Sequence, residues 1–235
     1  MYFVNGENNI FQATLALKSK IAELYTTKRK GKLVSFDLDH AFDRVDRRFL
    51  FNTMCSLGIN EGLIQLFSIL GSRSSSRVLM NGHLSRSFPI ERSVRQGDPI
   101  SMTLFVIYLH PLLTQLDNIC GLEELIVAYA DDISMIATST DTIHRAREIL
   151  YHFQLAAGAI LNMQKTLSID VGHIRRGSCL IVPWLRTEDR IKILGVIYAN
   201  SVRFMTKLNW DNLVTNFAKQ LWLHRMRTLT IHIHY

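Results

Sequence analysis

The stretch VAYADDISMIA, residues 127–137, places two adjacent carboxylates, Asp131 and Asp132, inside an otherwise apolar run. On a single strand successive side chains point to opposite faces, so one of the two would be buried among apolar neighbours at a large cost in free energy. A tight turn from Tyr129 to Asp132 removes the conflict, because the flanking runs LIVAY and ISMIA then pair as buried strands. The stretch therefore predicts a β-hairpin whose exposed tip carries both carboxylates, a geometry that suits a metal ion.

A third carboxylate, Asp37, follows another buried strand in the stretch SFDLDHAFDRV, residues 35–45. If the two strand ends are neighbours, Asp37 meets Asp131 and Asp132, and such like charges repel one another unless a divalent cation neutralises them. Mg²⁺ suits the site because it binds one or two carboxylates and completes its shell with water and substrate phosphates. An isolated Asp-Asp pair is more often an ordinary exposed turn, but the buried flanks of both segments favour a metal site.

Helical and extended patterns alternate along the rest of the chain. Apolar spacing and capping residues predict a helix before Gly31, a helix from the N-cap Asp46 to Gly58, a helix at residues 62–70, a helix with Asp98 as N-cap and Pro99 in its first turn, and a helix from Thr140 to Gly158. Asn81-Gly82 between extended runs predicts a second hairpin. No internal repeat is present, and the polar run at residues 71–77 is interpreted as a loop, so we expect one unit of class α+β.

The composition is that of a globular protein with a substantial core, since 48% of the 235 residues are apolar. The 27 Lys and Arg residues against 20 Asp and Glu give a net charge of +7, which favours a polyanionic partner such as nucleic acid. Basic clusters such as KRKGK, residues 28–32, suit contacts with phosphates. For each cluster taken alone, a solvated surface is the simpler interpretation.

The sequence also bears on the compartment. Three widely spaced cysteines suggest neither a zinc site nor a disulfide framework, which fits a reducing environment. No run approaches the roughly 18 apolar residues of a membrane helix, and the opening MYFVNGENNI lacks the pattern of a signal peptide. We therefore expect a soluble intracellular protein, in the nucleus or cytoplasm, that is not secreted and has no membrane partner.

Five segments, in order, resemble the successive palm motifs of reverse transcriptases, and most of all those of non-LTR (LINE-type) retrotransposons. The segments are SFDLDHAFDRV (35–45), SVRQGDPIS (93–101), AYADDISM (128–135), GAILNMQKT (158–166) and IKILGVIY (191–198). The resemblance implies a polymerase right-hand palm, an antiparallel sheet packed on helices, with partial fingers and the start of a thumb. It places partial fingers at residues 1–32, a palm at 33–200 with a finger insertion near 59–94, and a truncated thumb at 201–235.

The resemblance also implies roles at the catalytic centre. Asp37, Asp131 and Asp132 match the family's catalytic aspartates, and the Leu38 carbonyl contributes to a metal shell. The implied cofactor is a pair of Mg²⁺ ions, with Mn²⁺ as an alternative. Lys165 matches a lysine that protonates the departing pyrophosphate, whereas without the family it would be interpreted as a solvated surface lysine.

Three further positions match substrate-binding motifs of the family. Phe42 matches a bulky residue that excludes a 2′-hydroxyl and so selects deoxynucleotides, although a plain core aromatic is the alternative. Arg95, Gln96 and Gly97 match the segment that lies against the template and the nascent base pair. Leu194 and Gly195 resemble the hairpin that grips the primer, where a structural strand glycine is the alternative.

The implied activity is RNA-directed DNA polymerisation, with an RNA template, a DNA primer and dNTPs as partners. Other parts of a retrotransposon polyprotein, an endonuclease among them, are expected to be missing from this chain. The nearest alternative is a truncated, inactive remnant that at most binds nucleic acid. An RNA-templated RNA polymerase or a metal-dependent nuclease would use similar carboxylates, but the bulky Phe42 argues against RNA synthesis and the RQGDP segment has no purpose in a nuclease.

Overall fold

The computed structural model describes residues 10–72, 74–95, 97–173 and 180–226. The helices and strands of these ranges are, in chain order, α1 (Ile10–Thr26), β1 (Lys30–Phe36), α2 (Arg47–Ser56), α3 (Glu61–Ser72), β2 (Ser75–Ser76), β3 (Leu79–Met80), β4 (His83–Leu84), β5 (Phe88–Pro89), α4 (Ser101–Ile119), β6 (Leu125–Tyr129), β7 (Asp132–Ala137), α5 (Thr140–Ala157), β8 (Leu167–Gly172), β9 (Arg186–Thr187), β10 (Arg190–Ile193), β11 (Val196–Ala199) and α6 (Val202–Met226). Helices and antiparallel strand pairs alternate, as expected for the class α+β.

The central sheet has the strand order β6-β7-β1-β8-β9. Strand β1 lies in the middle and pairs antiparallel with β7 on one side and β8 on the other. Strands β6 and β7 form an antiparallel hairpin, and β8 pairs with the short β9 in parallel. An antiparallel-rich sheet packed on helices confirms the predicted fold class, which is that of a polymerase palm.

Each face of the sheet covers its own hydrophobic core. One core packs Val34 and Phe36 of β1 against α2, α4 and α5, with Phe105 and Tyr108 of α4 buried in it. The other core packs Leu33 of β1 against α1 and the β10–β11 hairpin. Neighbouring residues of β1 thus face opposite cores, which is the period-two pattern of a strand buried on both sides.

Helix boundaries follow the predicted signals with one exception. The Asp46 side chain accepts a hydrogen bond from the Phe49 amide and caps α2, and Gly158 ends α5 in the left-handed conformation, with φ 76°. The predicted start of α4 was wrong: the helix begins at Ser101 and its N-cap residue, Ile100, makes no side-chain cap. The Asp98 carboxylate instead accepts from the Ile100 amide, so it stabilises a turn that precedes the helix.

The basic cluster KRKGK, residues 28–32, is not wholly exposed as predicted. Strand β1 begins at Lys30, inside the cluster, and the Lys32 side chain is buried. Its Nζ lies 2.8 Å from Asp170 Oδ1 and donates to Thr187 Oγ1 at 3.0 Å. Lys32 is therefore part of an internal polar network and is not available for phosphate contacts.

Helix α6 is fixed to the β10–β11 hairpin by one side chain. Asn209 Oδ1 accepts from the Ile197 amide at 2.9 Å, and its Nδ2 donates to the Ile197 carbonyl at 2.7 Å. The side-chain amide thus satisfies both backbone groups of Ile197, which belongs to the two-stranded β10–β11 sheet. Within the described ranges, no helix combines the length and the apolar character needed to cross a membrane.

Candidate active site

The carboxylate hairpin forms as the sequence predicts. Tyr129 pairs with Asp132, so Ala130 and Asp131 alone make the turn. Ala130 has φ 53°, a left-handed conformation that places its Cβ close to backbone oxygen and costs roughly 1–2 kcal/mol for a residue other than glycine. Strain of this kind concentrates at functional sites, which supports a functional role for the tip.

Asp37 lies beside this tip because β1 and β7 are neighbours. The ladder between them ends with Phe36 opposite Ile133, which places Asp37 and Asp132 next along the two strands at the same end of the sheet. Burial raises the pKa of Asp37, the charge of Lys165 lowers it, and Asp131 raises it again. Burial likewise raises the pKa of Asp132, with further contributions from Asp131 and Asp37. All three carboxylates therefore feel one another's charge.

The three carboxylates do not form a complete cage. Among the residues that the structure describes, no group of three or more His, Cys, Asp or Glu side chains is arranged to hold a metal ion. Mg²⁺ seldom uses such a cage, since it keeps several waters and takes one or two carboxylates together with substrate phosphates. Asp37 and Asp132 are hard oxygen donors whose pKa values are raised by burial first and by neighbouring carboxylates second, and such donors fit this ion.

A short loop brings Lys165 to the same end of the sheet. The Asn162 amide donates to the Asp37 carbonyl at 2.8 Å, and the Asp37 amide donates to Thr166 Oγ1 at 3.4 Å. Asn162 Oδ1 accepts from the amides of Gln164 and Lys165, both at 3.1 Å, which fixes the turn between these anchors. Lys165 itself is exposed, and its charge lowers the pKa of Asp37.

The segment after Asp37 is held on both sides. Leu38 is buried and forms an isolated antiparallel bridge with Leu161, which continues the pairing beyond β1. Asp39 accepts a hydrogen bond from the Arg44 guanidinium at 2.8 Å. The backbone that would present the Leu38 carbonyl is therefore fixed by neighbours before and after it.

Phe42 is half-buried and rests on the core. Its ring stacks on Phe105 of α4 with centroids 4.3 Å apart and planes inclined by 20°. Its carbonyl accepts from the Val94 amide at 3.1 Å, so the segment leading to Arg95 lies directly beside it. This packing fits a rigid wall next to a substrate and equally fits a core aromatic.

The predicted template segment is only partly visible. Gln96 lies outside the described residues. Arg95 is exposed and donates from Nη2 to the buried Ser74 Oγ at 3.0 Å. Gly97 has φ 86°, a conformation that favours glycine, and among the described residues no atom beyond its chain neighbours lies within 4 Å of where a Cβ would lie.

Arg47 was not identified from the sequence, yet it organises this segment. From the first turn of α2 its guanidinium donates to the carbonyls of Gly71, Ile90 and Ser93, at 2.8, 2.9 and 3.2 Å. One of these carbonyls lies at the end of α3, and the other two lie in the segment that leads to Arg95. A single arginine in a helix gives no local signal for such a role, because its partners are 24 to 46 residues away.

The predicted primer-grip pair forms the turn of a second tight hairpin. Ile193 pairs with Val196, and both residues between them have positive φ, 50° at Leu194 and 83° at Gly195. Two such residues make the type I′ turn that matches the twist of paired strands. Leu194 is half-buried against the second core, and it is one of six described non-glycine residues with positive φ, a conformation that carries backbone strain.

The chain is similar to known proteins in its sequence and in its fold. The family model described as reverse transcriptase (RNA-dependent DNA polymerase) matches residues 7–198. A Pol polyprotein of the type-1 retrotransposable element R2 from Popillia japonica is 30% identical over 188 residues, which are 75% of this chain and 26% of that protein. A Pol polyprotein of the type-2 retrotransposable element R2DM from Drosophila melanogaster is 22% identical over 192 residues, 74% of this chain and 18% of that protein.

A solved structure shares the fold. The apo telomerase of Candida tropicalis, truncated from its C-terminal domain, matches with a TM-score of 0.63 over 84% of this chain and 39% of that chain. The two sequences are only 17% identical, so this likeness concerns the fold alone. The chain spans about a quarter or less of the length of the two retrotransposon relatives.

Proposed function

Since this chain belongs to the reverse transcriptase family, as a domain of the kind found in non-LTR retrotransposon proteins, we propose that it extends a DNA primer on an RNA template with dNTPs. The observation that carries the proposal is the placement of Asp37 beside the strained hairpin tip that holds Asp131 and Asp132. On this proposal residues 1–32 belong to the fingers, residues 33–200 form the palm with a finger insertion near 59–94, and residues 201–235 begin the thumb.

The carboxylates have the role of holding two divalent cations. Asp37, Asp131 and Asp132, together with the Leu38 carbonyl, would bind Mg²⁺, with Mn²⁺ as the alternative. When bound, such ions favour ionisation of the primer 3′-hydroxyl and stabilise charge on the α-phosphate and the leaving pyrophosphate. The fixed backbone on both sides of Leu38 supports this role, because it holds the donor atoms in place without substrate.

Other residues hold the substrates and move the proton. Lys165 protonates the departing pyrophosphate, and its placement next to Asp37 by the Asn162 turn supports this role. Phe42, fixed on Phe105, excludes a ribose 2′-hydroxyl. Arg95 and Gly97, together with Gln96, contact the template and the nascent base pair.

The primer is held by the strained turn of Leu194 and Gly195. The turn lies on the β10–β11 hairpin, which α6 fixes through Asn209. A glycine at the turn lets backbone approach the primer strand closely.

The direct test is single-nucleotide incorporation on an RNA template with a DNA primer and Mg²⁺. We expect incorporation by the parent chain and a loss of at least a hundredfold in rate for Asp131→Asn, since the amide keeps the shape of the side chain and removes its charge. Asp211→Asn, an exposed substitution on α6, is the matched control and should retain the parent rate.

The outcomes separate the alternatives. Equal incorporation by the parent and Asp131→Asn would contradict the assignment of the carboxylates. A parent chain that folds, binds the primer–template and incorporates nothing would support an inactive remnant. Incorporation of ribonucleotides in preference to deoxynucleotides would contradict the role of Phe42.

A further inference from the structure

A cleft beside the template segment has no role in the function proposed above. It lies between α2, α3 and the start of α4, has a volume of about 140 Å³, and opens to solvent. Its walls include the apolar side chains of Leu50, Phe51, Phe67, Leu70 and Leu104. A cavity of about 150 Å³ with such a lining holds a benzene molecule, so this cleft has room for one six-membered ring.

Charged side chains also line the cleft. Arg47 and Arg95 both line it, and Arg95 adds to burial in lowering the pKa of Arg47, so the two guanidiniums feel each other's charge. Within the described ranges neither arginine forms a salt bridge. The Arg47 guanidinium already donates to backbone carbonyls, so the exposed Arg95 is the cation of the cleft that favours an anion nearby.

A carboxylate in the cleft distinguishes between the anions that could bind. The carboxylate of Asp98 also lines the cleft and accepts one hydrogen bond, from the Ile100 amide. It would repel a free phosphate that entered the cleft, but it can accept from the N–H groups of a pyrimidine base. A nucleotide therefore matches the site better than an inorganic anion, with its base in the cleft and its phosphate on Arg95 outside.

The location indicates which nucleotide this is. Val94, which lines the cleft, donates its amide to the carbonyl of Phe42, the residue proposed to contact the incoming sugar. The cleft thus continues from the proposed position of the nascent base pair along the segment that contacts the template. On the proposed function, a template base that has not yet been paired would lie along this segment.

We propose that the cleft receives one unpaired base of the template strand ahead of the active site, stacked between Phe51 and Phe67. The inference rests on the proposed function, because it requires that Arg95 to Gly97 contact the template. Pyrimidines fit better than purines, since the volume admits a single ring. Holding this base would keep the template extended and stop it from pairing or stacking out of register.

The test is a scan of abasic sites through the template overhang. Primer–templates carry an unpaired RNA overhang with one abasic residue at successive positions, and binding is measured by fluorescence anisotropy without nucleotide. We expect one position, and no other, at which loss of the base weakens binding about tenfold, as for loss of a base–aromatic stack.

A matched pair of variants identifies the cleft as the cause. Leu70→Trp should fill the cleft and abolish the loss of binding caused by the abasic residue. Leu66→Trp lies on the same helix outside the cleft and should retain that loss. Both leucines are exposed, so both variants should fold. Binding that is uniform across the scan, or an abasic effect that survives Leu70→Trp, would overturn the inference and leave the proposed function intact. Failure to bind any primer–template would contradict both.

Discussion

At the scale of single residues, Thr166 joins the proposed proton donor to a proposed metal ligand. Its hydroxyl is buried, donates to the Asn162 carbonyl at 2.8 Å and accepts from the Asp37 amide at 3.4 Å. Loss of the hydroxyl would leave both backbone groups without this partner. The loop that carries Lys165 would then lose one of its two anchors on the Asp37 backbone and keep the bond from the Asn162 amide to the Asp37 carbonyl.

We predict that Thr166→Val lowers kcat for nucleotide incorporation about tenfold and changes KM for the dNTP little, because valine keeps the volume and removes the hydrogen bonds. Thr166→Ser, which keeps the hydroxyl, should restore most of the rate. Steady-state kinetics give both constants, and urea unfolding should show a loss of about 1–2 kcal/mol for the valine variant. An unchanged kcat in a variant destabilised to that extent would mean that the hydroxyl is structural only.

Two glycines with positive φ allow the cost of a left-handed backbone to be measured separately from the cost of a steric clash. Gly195 and Gly172 have φ 83° and 84°, but within the described ranges a Cβ at Gly195 would have nothing within 4 Å beyond its chain neighbours, whereas one at Gly172 would clash with the Arg29 carbonyl oxygen. Gly195→Ala should reduce the free energy of unfolding by about 1 kcal/mol, the cost of the left-handed conformation. Gly172→Ala should reduce it several times more, and equal effects in denaturant unfolding would contradict this account.

At the scale of elements, a buried ion pair joins β1 and β8, and the loss of stability on substitution depends on whether one charge or both are removed. Lys32 and Asp170 are directly opposite in the antiparallel ladder, and the Lys32 side chain is only 2% exposed. Asp170→Asn leaves the ammonium buried without its counter-charge, and we predict a loss of about 3 kcal/mol in the free energy of unfolding.

The matched control removes both charges. Lys32→Met combined with Asp170→Leu should be close to neutral, since a well-packed apolar pair often replaces a buried ion pair without loss. Denaturant unfolding of the single and double variants checks both values. A double variant as unstable as Asp170→Asn would show that the ion pair stabilises the fold by more than the free energy cost of burying its two charges.

The elements were largely predictable where the signal was local. The Asp131–Asp132 tip, the Asn81-Gly82 turn and the Asp46 cap depend on residues within a few positions of one another, and each formed as predicted. The start of α4 was wrong because Asp98 and Pro99 satisfy a turn as well as a helix cap, and the choice depends on how the preceding segment is held.

The contacts that position the candidate site were not predictable from local patterns. Arg47 reaches carbonyls up to 46 residues away, and Thr166 meets Asp37 across 129 residues. The Asn162 turn could have been identified, because an asparagine followed closely by polar residues favours an Asx-turn. Its pairing with Asp37 depends on the order of strands in the sheet, and no single motif predicts that order.

At the scale of the whole molecule, the net charge of +7 bears on how nucleic acid is held. Binding of an RNA–DNA hybrid should weaken about tenfold or more between 50 and 200 mM salt, because contacts between basic residues and phosphates release counterions. Anisotropy titrations across this range give the slope. An affinity independent of salt would contradict a backbone-directed mode of binding.

We propose that one end of the central sheet is a metal-dependent centre made from two distant parts of the chain. Cleavage of the backbone by radicals from bound Fe²⁺ tests this most directly, because only peptide bonds close to the ion are cut. We predict cuts near Asp37 and near Asp131–Asp132 in the same sample, suppressed by excess Mg²⁺ and absent in Asp131→Asn. Cuts confined to other segments, or cuts that persist unchanged in Asp131→Asn, would contradict the account.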